Sequence, residues 1–537
     1  MLSAVDECLD TIEATRGVRV DLGRIDHEER AIFESIREGD TMGTFQVESR
    51  AQIQTLPRTQ PKTLDDLAVQ VAIIRPGPIM AGAFRPYMEY REKLAQGEQV
   101  DVDYGHPELE PLLRDILGET LGHVLYQDHV LQIAGAVAGF TPGQGDRLRR
   151  AMSRKRSEEA MQELAEEFYA GAERQGVSRE AAEVAFQKMA SFAAFGFPKS
   201  HAVAFALLAY ESCWLRYYYP AEYLSALVNA QPMGFYSLEV LAGDARRHGV
   251  EVHGPDINRS HAGAWPEGNG IRLGLEGVKG LGGGWMARRQ AVANGEVATT
   301  STAERIVAER EANGPYTSLY DLLTRAQLER STAEALIRAD ALAGFGLERR
   351  ELLWQLGVMC SGHGVGPRRE LRGYQAPLPL PTEQDMVELP SLKPWQAMAW
   401  DYEATGVSER AHPMALVRPL LHEGMATSRH VGGIGNPKRM PQGERVEMAG
   451  MVVTRQRPQT ASGVMFMLLE DEFGLVNLVV WPGVQERQRE LVRATSFVIV
   501  RGRIDNEQSG FPNIVAEQFA PCPVPGFLEA PPSHDYG

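Results

Sequence analysis

The sequence predicts a multidomain chain, mainly α-helical for most of its length and closed by a small all-β barrel. Three observations predict it. Apolar residues recur at helical spacing through about residue 355. Glycine and proline clusters cut that pattern at a few places. After about residue 440 the period falls to that of strands, in five short runs. At about 150 residues per domain, a chain of 537 residues makes three or four domains.

Residues 1–60 read as helices, with Val5, Leu9 and Ile12 and then Ile32, Phe33 and Ile36 on apolar faces. Arg75-Pro76-Gly77-Pro78 cannot continue a helix. From about 107 to 230 the pattern is again helical, broken at 139–145 (GFTPGQG) and at Gly196-Phe197-Pro198. A second region, about 256–355, opens with PDIN, contains VKGLGGG and carries short amphipathic helices around 303–312 and 331–342. Its segment 283–300 reads as a loose insertion. Residues 361–440 are rich in Gly, Pro and polar residues and read as a connector with a helical patch near 396–405. VEMAGMVVTRQR, GVMFMLLED, GLVNLVVW, SFVIVRGRID and NIVAEQFA then form five strand-like runs, with the helical VQERQRELVRA between the third and fourth. That order is the OB-fold's, a barrel used for single-stranded nucleic acid. A purely structural barrel has the same order, so the fold alone names no ligand.

Composition narrows the function classes. A net charge of −16 excludes a chain coated with positive charge, so any nucleic-acid contact must be a local cluster. No run of about 18 apolar residues exists, so no membrane span is expected, and MLSAVDECLD is not built like a signal peptide. Cys8, Cys213, Cys360 and Cys522 lie far apart, without a zinc-ribbon or disulfide pattern, which fits a reduced cytoplasm.

Three stretches could carry chemistry. The densest basic one is Arg147-Leu-Arg149-Arg150-Ala-Met-Ser-Arg154-Lys155-Arg156. It follows TPGQGD, whose Asp146 is the expected N-cap, so Arg149 and Arg150 are expected near a helix mouth that favours anions. Guanidinium pairs suit the oxygens of a triphosphate. Taken alone, such a run is most often a solvated helix face. Lys199-Ser200-His201 opens another helix, where Ser200 is equally a plain N-cap and His201 a half-buried polar residue. Leu275-Glu-Gly-Val-Lys279-Gly280-Leu281-Gly282 resembles a helix–hairpin–helix turn, whose glycines let backbone approach a DNA phosphate, though any Gly-rich turn looks alike. No Walker, Rossmann, metalloprotease or nucleophile-elbow pattern occurs. The acidic pair Asp101-Val-Asp103 lies in a polar stretch and reads as a loop rather than as a two-metal site.

Several motifs, in one order, resemble the C-family bacterial DNA polymerases, which include polymerase III alpha subunits. They are GTFQVES (43–49), AIIRPGPI (72–79), VLYQDHVLQIA (124–134), DRLRRAMSRKR (146–156), FGFPKSHAVAFALLAYESCWL (195–215), YPAEYLSALVNAQPMGFY (219–236) and PDINRS (255–260). Pro198, NAQPMGFY, DARRHGVEV and YEATGVSERAHP look like the error-prone, damage-tolerance branch.

The resemblance implies a mainly helical fingers domain at 1–255, a helix–hairpin–helix DNA-binding region at 256–355, a connector at 356–440, an OB-fold at 441–520 and a tail at 521–537. It implies deoxynucleotide contacts at Arg149, Arg150, Lys199, Ser200, His201 and Arg75. DNA contacts are expected at Arg154, Lys155, Arg156, Lys279, Gly280 and Gly282, and in the barrel at Arg455, Phe466 and Trp481. Phe466 and Trp481 are as readily core residues. In the family the palm carboxylates that hold magnesium precede the segment matching Met1, so no catalytic or metal-binding residue is expected in this chain, which alone should not extend a primer. Primer-template DNA and deoxynucleotides are the implied partners, with mutagenesis accessory proteins and, through them, the sliding clamp. The second reading is a non-catalytic DNA-binding or scaffold protein derived from a polymerase.

Overall fold

The computed structural model describes residues 1–75, 84–153, 158–193, 197–234, 236–282, 300–361, 388–432, 439–458, 463–506, 511–524 and 534–536. Polar caps start many of its helices. Ser49 Oγ accepts the Gln52 N–H at 3.4 Å ahead of Arg50–Thr59, and Thr63 Oγ1 accepts that of Asp66 at 3.2 Å ahead of Leu64–Ile73. Ser301 and Glu304 form a capping box at Thr302–Asn313. The helices expected near 331–342 and 396–405 are Arg330–Arg338 and Pro394–Thr405. The first of these stops early because Asp340 turns left-handed, with φ 61°.

Residues 67–73 are buried on every side of the Leu64–Ile73 helix, which packs on the Lys199–Tyr218 helix. Phe33, Tyr126, Phe168 and Tyr210 lie in the same core. A second core joins Ala4, Cys8 and Ile12 to Leu215, Tyr223 and Leu241. It continues into a small sheet of β1 (Glu251–His253), β2 (Trp265–Glu267) and β3 (Gly270–Arg272), ordered β1-β3-β2. Among the described residues, no helix is long and apolar enough to cross a membrane.

A third core packs Ile257, Val278 and Leu281 against Ile306, Leu322, Leu336 and Ile337. It also takes in Ala404, and Arg349 pairs with Asp401 at 2.6 Å, both side chains under a tenth exposed. The expected connector 356–440 is therefore no simple tether in its described part. Its Pro394–Thr405 helix belongs to this third core, while Met414, Val417 and Met425 pack on Ala449, Met451 and Phe497 of the barrel. The composition of 361–440 hid this, because its core residues, such as Ala404, Met414 and Val417, are scattered among Gly, Pro and polar residues. Segment 283–299, expected as a loose insertion, lies outside the described residues.

The five strand-like runs are β4 (Arg445–Gln456), β5 (Met465–Asp471), β6 (Gly474–Val480), β7 (Phe497–Asp505) and β8 (Asn513–Pro521), with β9 (His534–Tyr536) added beside β4. The order β5-β6-β8-β7-β4 closes through β4–β5 pairing, which makes the OB-fold barrel. Two short helices, Pro482–Arg487 and Arg489–Ala494, stand where one was expected. Gly502 sits at a register shift between β7 and β8, where a Cβ would meet the Val515 carbonyl oxygen at 2.3 Å.

The barrel is docked on the helical body. Val453, Leu468 and Leu475 join the second core. Gln54 Nε2 donates to Asn513 Oδ1 at 2.9 Å, and Asn477 donates to the same oxygen. Fully buried Glu470 of β5 faces Arg247 at 3.4 Å and His412 at 3.9 Å. Nearby Glu239 is also fully buried, and burial pushes its carboxyl up to about 7.

Candidate functional site

Two helix mouths meet on the helical body. Residues Tyr126 and Phe197 form a parallel bridge, and the Gln127 N–H donates to the Phe197 carbonyl at 2.9 Å. The bridge sets the start of Gln127–Ala138 beside the start of Lys199–Tyr218. The cap of the second helix is imported: the Lys199 N–H donates to Asp128 Oδ2 at 2.9 Å. Pro198, not Ser200, occupies its N-cap position, so the reading of Ser200 as a cap is corrected.

Cations gather around this pair. Arg149 Nη1 donates to Gln127 Oε1 at 2.9 Å. Asp146 accepts from Arg149 Nη2 at 2.8 Å and from Arg150 Nε at 2.8 Å. Lys199 Nζ reaches both oxygens of Glu119, at 2.7 and 2.8 Å. The Arg75 guanidinium lies 4.1 Å from the Phe197 ring centre, and His201 lies tilted against Phe205 at 4.0 Å and meets Phe197 edge-on. Ser200 and His201 are exposed, and the side chain of Arg150 is 67% exposed.

The helix carrying the arginines runs Pro142–Ser153. Its mouth is at Thr141, whose Oγ1 and N–H both engage Gln144, and Pro142 takes the first helical position. Asp146 is thus not the expected N-cap. It sits one turn in, where its i+3 and i+4 positions are Arg149 and Arg150, and first Arg149 and then Arg150 hold its carboxyl below the usual range. The neighbouring helix mouths at Gln127 and Lys199, rather than the arginines' own, are the ones beside this cluster.

The glycine turn is pinned from below. Val278 and Leu281 are buried anchors, and the Lys279 N–H donates to the Ala404 carbonyl at 2.9 Å. Lys279, Gly280 and Gly282 are exposed. Gly280 has φ +93° with open space around it, a backbone knuckle that a side chain would strain.

The barrel residues part company. Arg455 is 8% exposed and donates to the carbonyls of Val492 at 2.9 Å and Thr495 at 2.6 Å, which ties the short helices to β4. Phe466 is half-buried, with the Arg50 guanidinium 4.7 Å from its ring centre. Trp481 is 55% exposed.

Residues 1–176 match the finger domain of the bacterial DNA polymerase III alpha subunit, 249–292 and 296–352 a helix-hairpin-helix motif, and 446–521 an OB-fold nucleic acid binding domain. The chain is 42% identical over 522 residues to an error-prone DNA polymerase of Mycolicibacterium paratuberculosis, covering 96% of this chain and 44% of that protein. Over nearly its whole length the chain is similar to error-prone DNA polymerases. The error-prone DNA polymerases of Corynebacterium efficiens (42% over 532 residues, 98% of this chain and 45% of theirs) and Nocardia farcinica (42% over 530 residues, 96% and 42%) are similar. The chain therefore spans under half the length of these relatives. Among solved structures, an asparaginyl-tRNA synthetase from Pyrococcus horikoshii matches 15% of the chain and 20% of its own at 26% identity with a TM-score of 0.13.

Arg75, Arg149, Arg150, Lys199 and His201 lie around the two helix starts, and Ser200 is exposed beside them. Arg154, Lys155 and Arg156 fall outside the described residues. Arg455 is a correction to the expected DNA contacts: β4 is buried on both sides from Met448 to Arg455, so alternation no longer selects a wet face. Sequence reasoning missed Glu119, Gln127, Asp128 and Asp146 as the partners that place the cations. The string VLYQDH held two of them, but only the bridge to Phe197 gives them a role. Among the described residues, one group could offer three metal-ligand atoms close together: Asp40, Asp244 and His248. It does not fit a magnesium pair, because Arg216 already bridges Asp40 at 2.7 Å and Asp244 at 2.8 Å.

Proposed function

We propose that this chain is the nucleotide-gripping and DNA-holding part of an error-prone, template-directed DNA polymerase that acts in damage-tolerant synthesis. One observation carries the reading: the gathering of Arg75, Arg149, Arg150, Lys199 and His201 where two helices begin side by side. An incoming triphosphate would take the place that Asp146 and Glu119 hold in the free protein. Arg149 and Arg150 present planar N–H pairs to phosphate oxygens, Lys199 adds a point charge, and the helix mouths add partial positive charge. Acidic place-holders keep these cations aligned and partly desolvated until the nucleotide arrives, which lowers the ordering cost of binding.

Duplex DNA would run over the Gly280 knuckle with the Lys279 ammonium beside it, and a single strand over Trp481. Magnesium, when bound, would neutralise the phosphates and activate the primer 3′ oxygen. Its ligands are proposed to lie on polypeptide beyond these 537 residues, so the chain alone is expected to bind without extending a primer. Mutagenesis accessory proteins, the sliding clamp through them and a cytoplasmic setting complete the proposal.

The test is titration of dATP and of a primer-template into the purified chain and its Arg149→Ala/Arg150→Ala variant. Affinity for dATP is expected to fall about tenfold or more while DNA affinity moves within about threefold. Equal losses would assign the pair to the DNA backbone instead.

A further inference from the structure

The acid that holds Lys199 also faces a buried donor with nothing to bind. Glu119 lies in the turn Gly118–Thr120, and its Oε1 is 2.7 Å from Lys199 Nζ. Behind it stands His129, 1% exposed. The Leu125 N–H donates to His129 Nδ1 at 3.3 Å, so the proton of the neutral ring sits on Nε2. That Nε2 is 3.6 Å from Glu119 Oε1, close but beyond hydrogen-bond reach, and makes no hydrogen bond. An unpaired N–H at that depth raises the free energy of the protein. The carboxylate needs to travel less than about 1 Å to close on it.

We propose that Glu119 is a two-position carboxylate: it holds Lys199 in the free protein and shifts onto His129 Nε2–H when a triphosphate takes Lys199. This rests on the reading of Lys199 as a triphosphate ligand. Pulling a lysine from its acid ordinarily leaves a half-buried carboxylate unpaired. Here the orphan imidazole N–H receives it, so the two halves of the exchange offset each other. The Lys199 backbone does not move, because Asp128 holds its N–H. Glu119 and His129 are positioning residues: neither touches the nucleotide, and together they set how easily the lysine is released.

The test is calorimetric titration of dATP with magnesium into the purified chain and four single variants, with one double. His129→Asn keeps an acceptor for the Leu125 N–H but loses the Nε2 donor. It should weaken binding about tenfold. His129→Gln retains an N–H near the Nε2 position and should bind within about threefold of the parent, a rescue that a merely structural role would not give. Glu119→Gln frees Lys199 and should tighten binding about threefold. In the Glu119→Gln background, His129→Asn should then change nothing. A His129→Asn loss of the same size in both backgrounds overturns the exchange, as does a His129→Asn variant that binds like the parent. Lys199→Ala separates the layers. If it leaves dATP affinity unchanged, the triphosphate reading of Lys199 falls and the exchange with it; if it weakens binding while the cycle is additive, only the exchange falls. Should His129→Asn not fold, the side-chain 15N signal of His129 in the parent decides. It must move on adding dATP, and a signal that stays put overturns the proposal.

Discussion

The cation cluster on the helical body and the seam under the barrel treat charge in opposite ways. At the cluster, Arg149, Arg150 and Lys199 stay partly open to solvent, and each is held by a carboxylate that a stronger anion could displace. At the seam, Glu239, Glu470 and the Arg50 guanidinium are shut inside with unsatisfied atoms, and the Arg50 side chain is pushed down to about 9 by burial. The first arrangement suits exchange with a ligand; the second suits fixing two modules together at some cost in stability. Local electrostatics alone would rank both as sites. Solvent access and the presence of a replaceable partner tell them apart.

That contrast leads to measurable differences. The seam should respond most to pH. The carboxyl of Glu239 is raised from 4.5 to about 7 by burial, so between these values the folded chain keeps a proton that the unfolded chain loses. Stability is therefore expected to fall by up to about 3 kcal/mol as pH rises from 4.5 to 7 and to level off above. Urea midpoints across that range should show the slope in the parent and lose much of it in Glu239→Gln. A slope unchanged by the substitution would place the titrating group elsewhere.

Next in size is Arg455→Ala. It strands the carbonyls of Val492 and Thr495, and about 2 kcal/mol of barrel stability should be lost by urea denaturation. Binding of single-stranded DNA by the folded variant should be unchanged, because the guanidinium faces inward. A selective loss of DNA affinity would restore the residue to the contact surface.

Trp481→Ala should do the reverse, weakening oligodeoxynucleotide binding by about 1 to 2 kcal/mol by fluorescence anisotropy, with urea midpoints nearly unchanged. Unfolding without an affinity change would make the indole a packing group.

The smallest change is expected from Arg50→Met. Methionine keeps apolar contact with Phe466 and removes a buried charge without hydrogen-bond partners, so stability should hold or rise by about 1 kcal/mol. A large loss would show that the cation–π contact dominates the seam.

Legibility differed by region for physical reasons. The helices and the five strands were readable because periodicity and caps are local properties, as at Ser301-Thr-Ala-Glu304. Asp146 was read as a cap because Asp before a basic run is a common start signal, yet Pro142 begins the helix four residues earlier. Arg455 looked like a surface cation in a strand, and only the helices between β6 and β7 cover it. The connector looked loose because Gly, Pro and polar residues interrupt its apolar ones, although Ala404 and Met414 are core residues.

By itself, the amino-acid order determined the chain's similarity to error-prone DNA polymerases, its helix-to-barrel succession and where its cations cluster along the sequence. These follow from short-range spacing and from an ordered series of motifs. Which of those charges remain usable was decided by the tertiary structure alone. Burial, the carboxylate opposite each cation and the imported caps come from residues far apart in the chain, as Glu119 meeting Lys199 across 80 positions illustrates. No local pattern encodes a contact of that separation, because it exists only once the cores have packed.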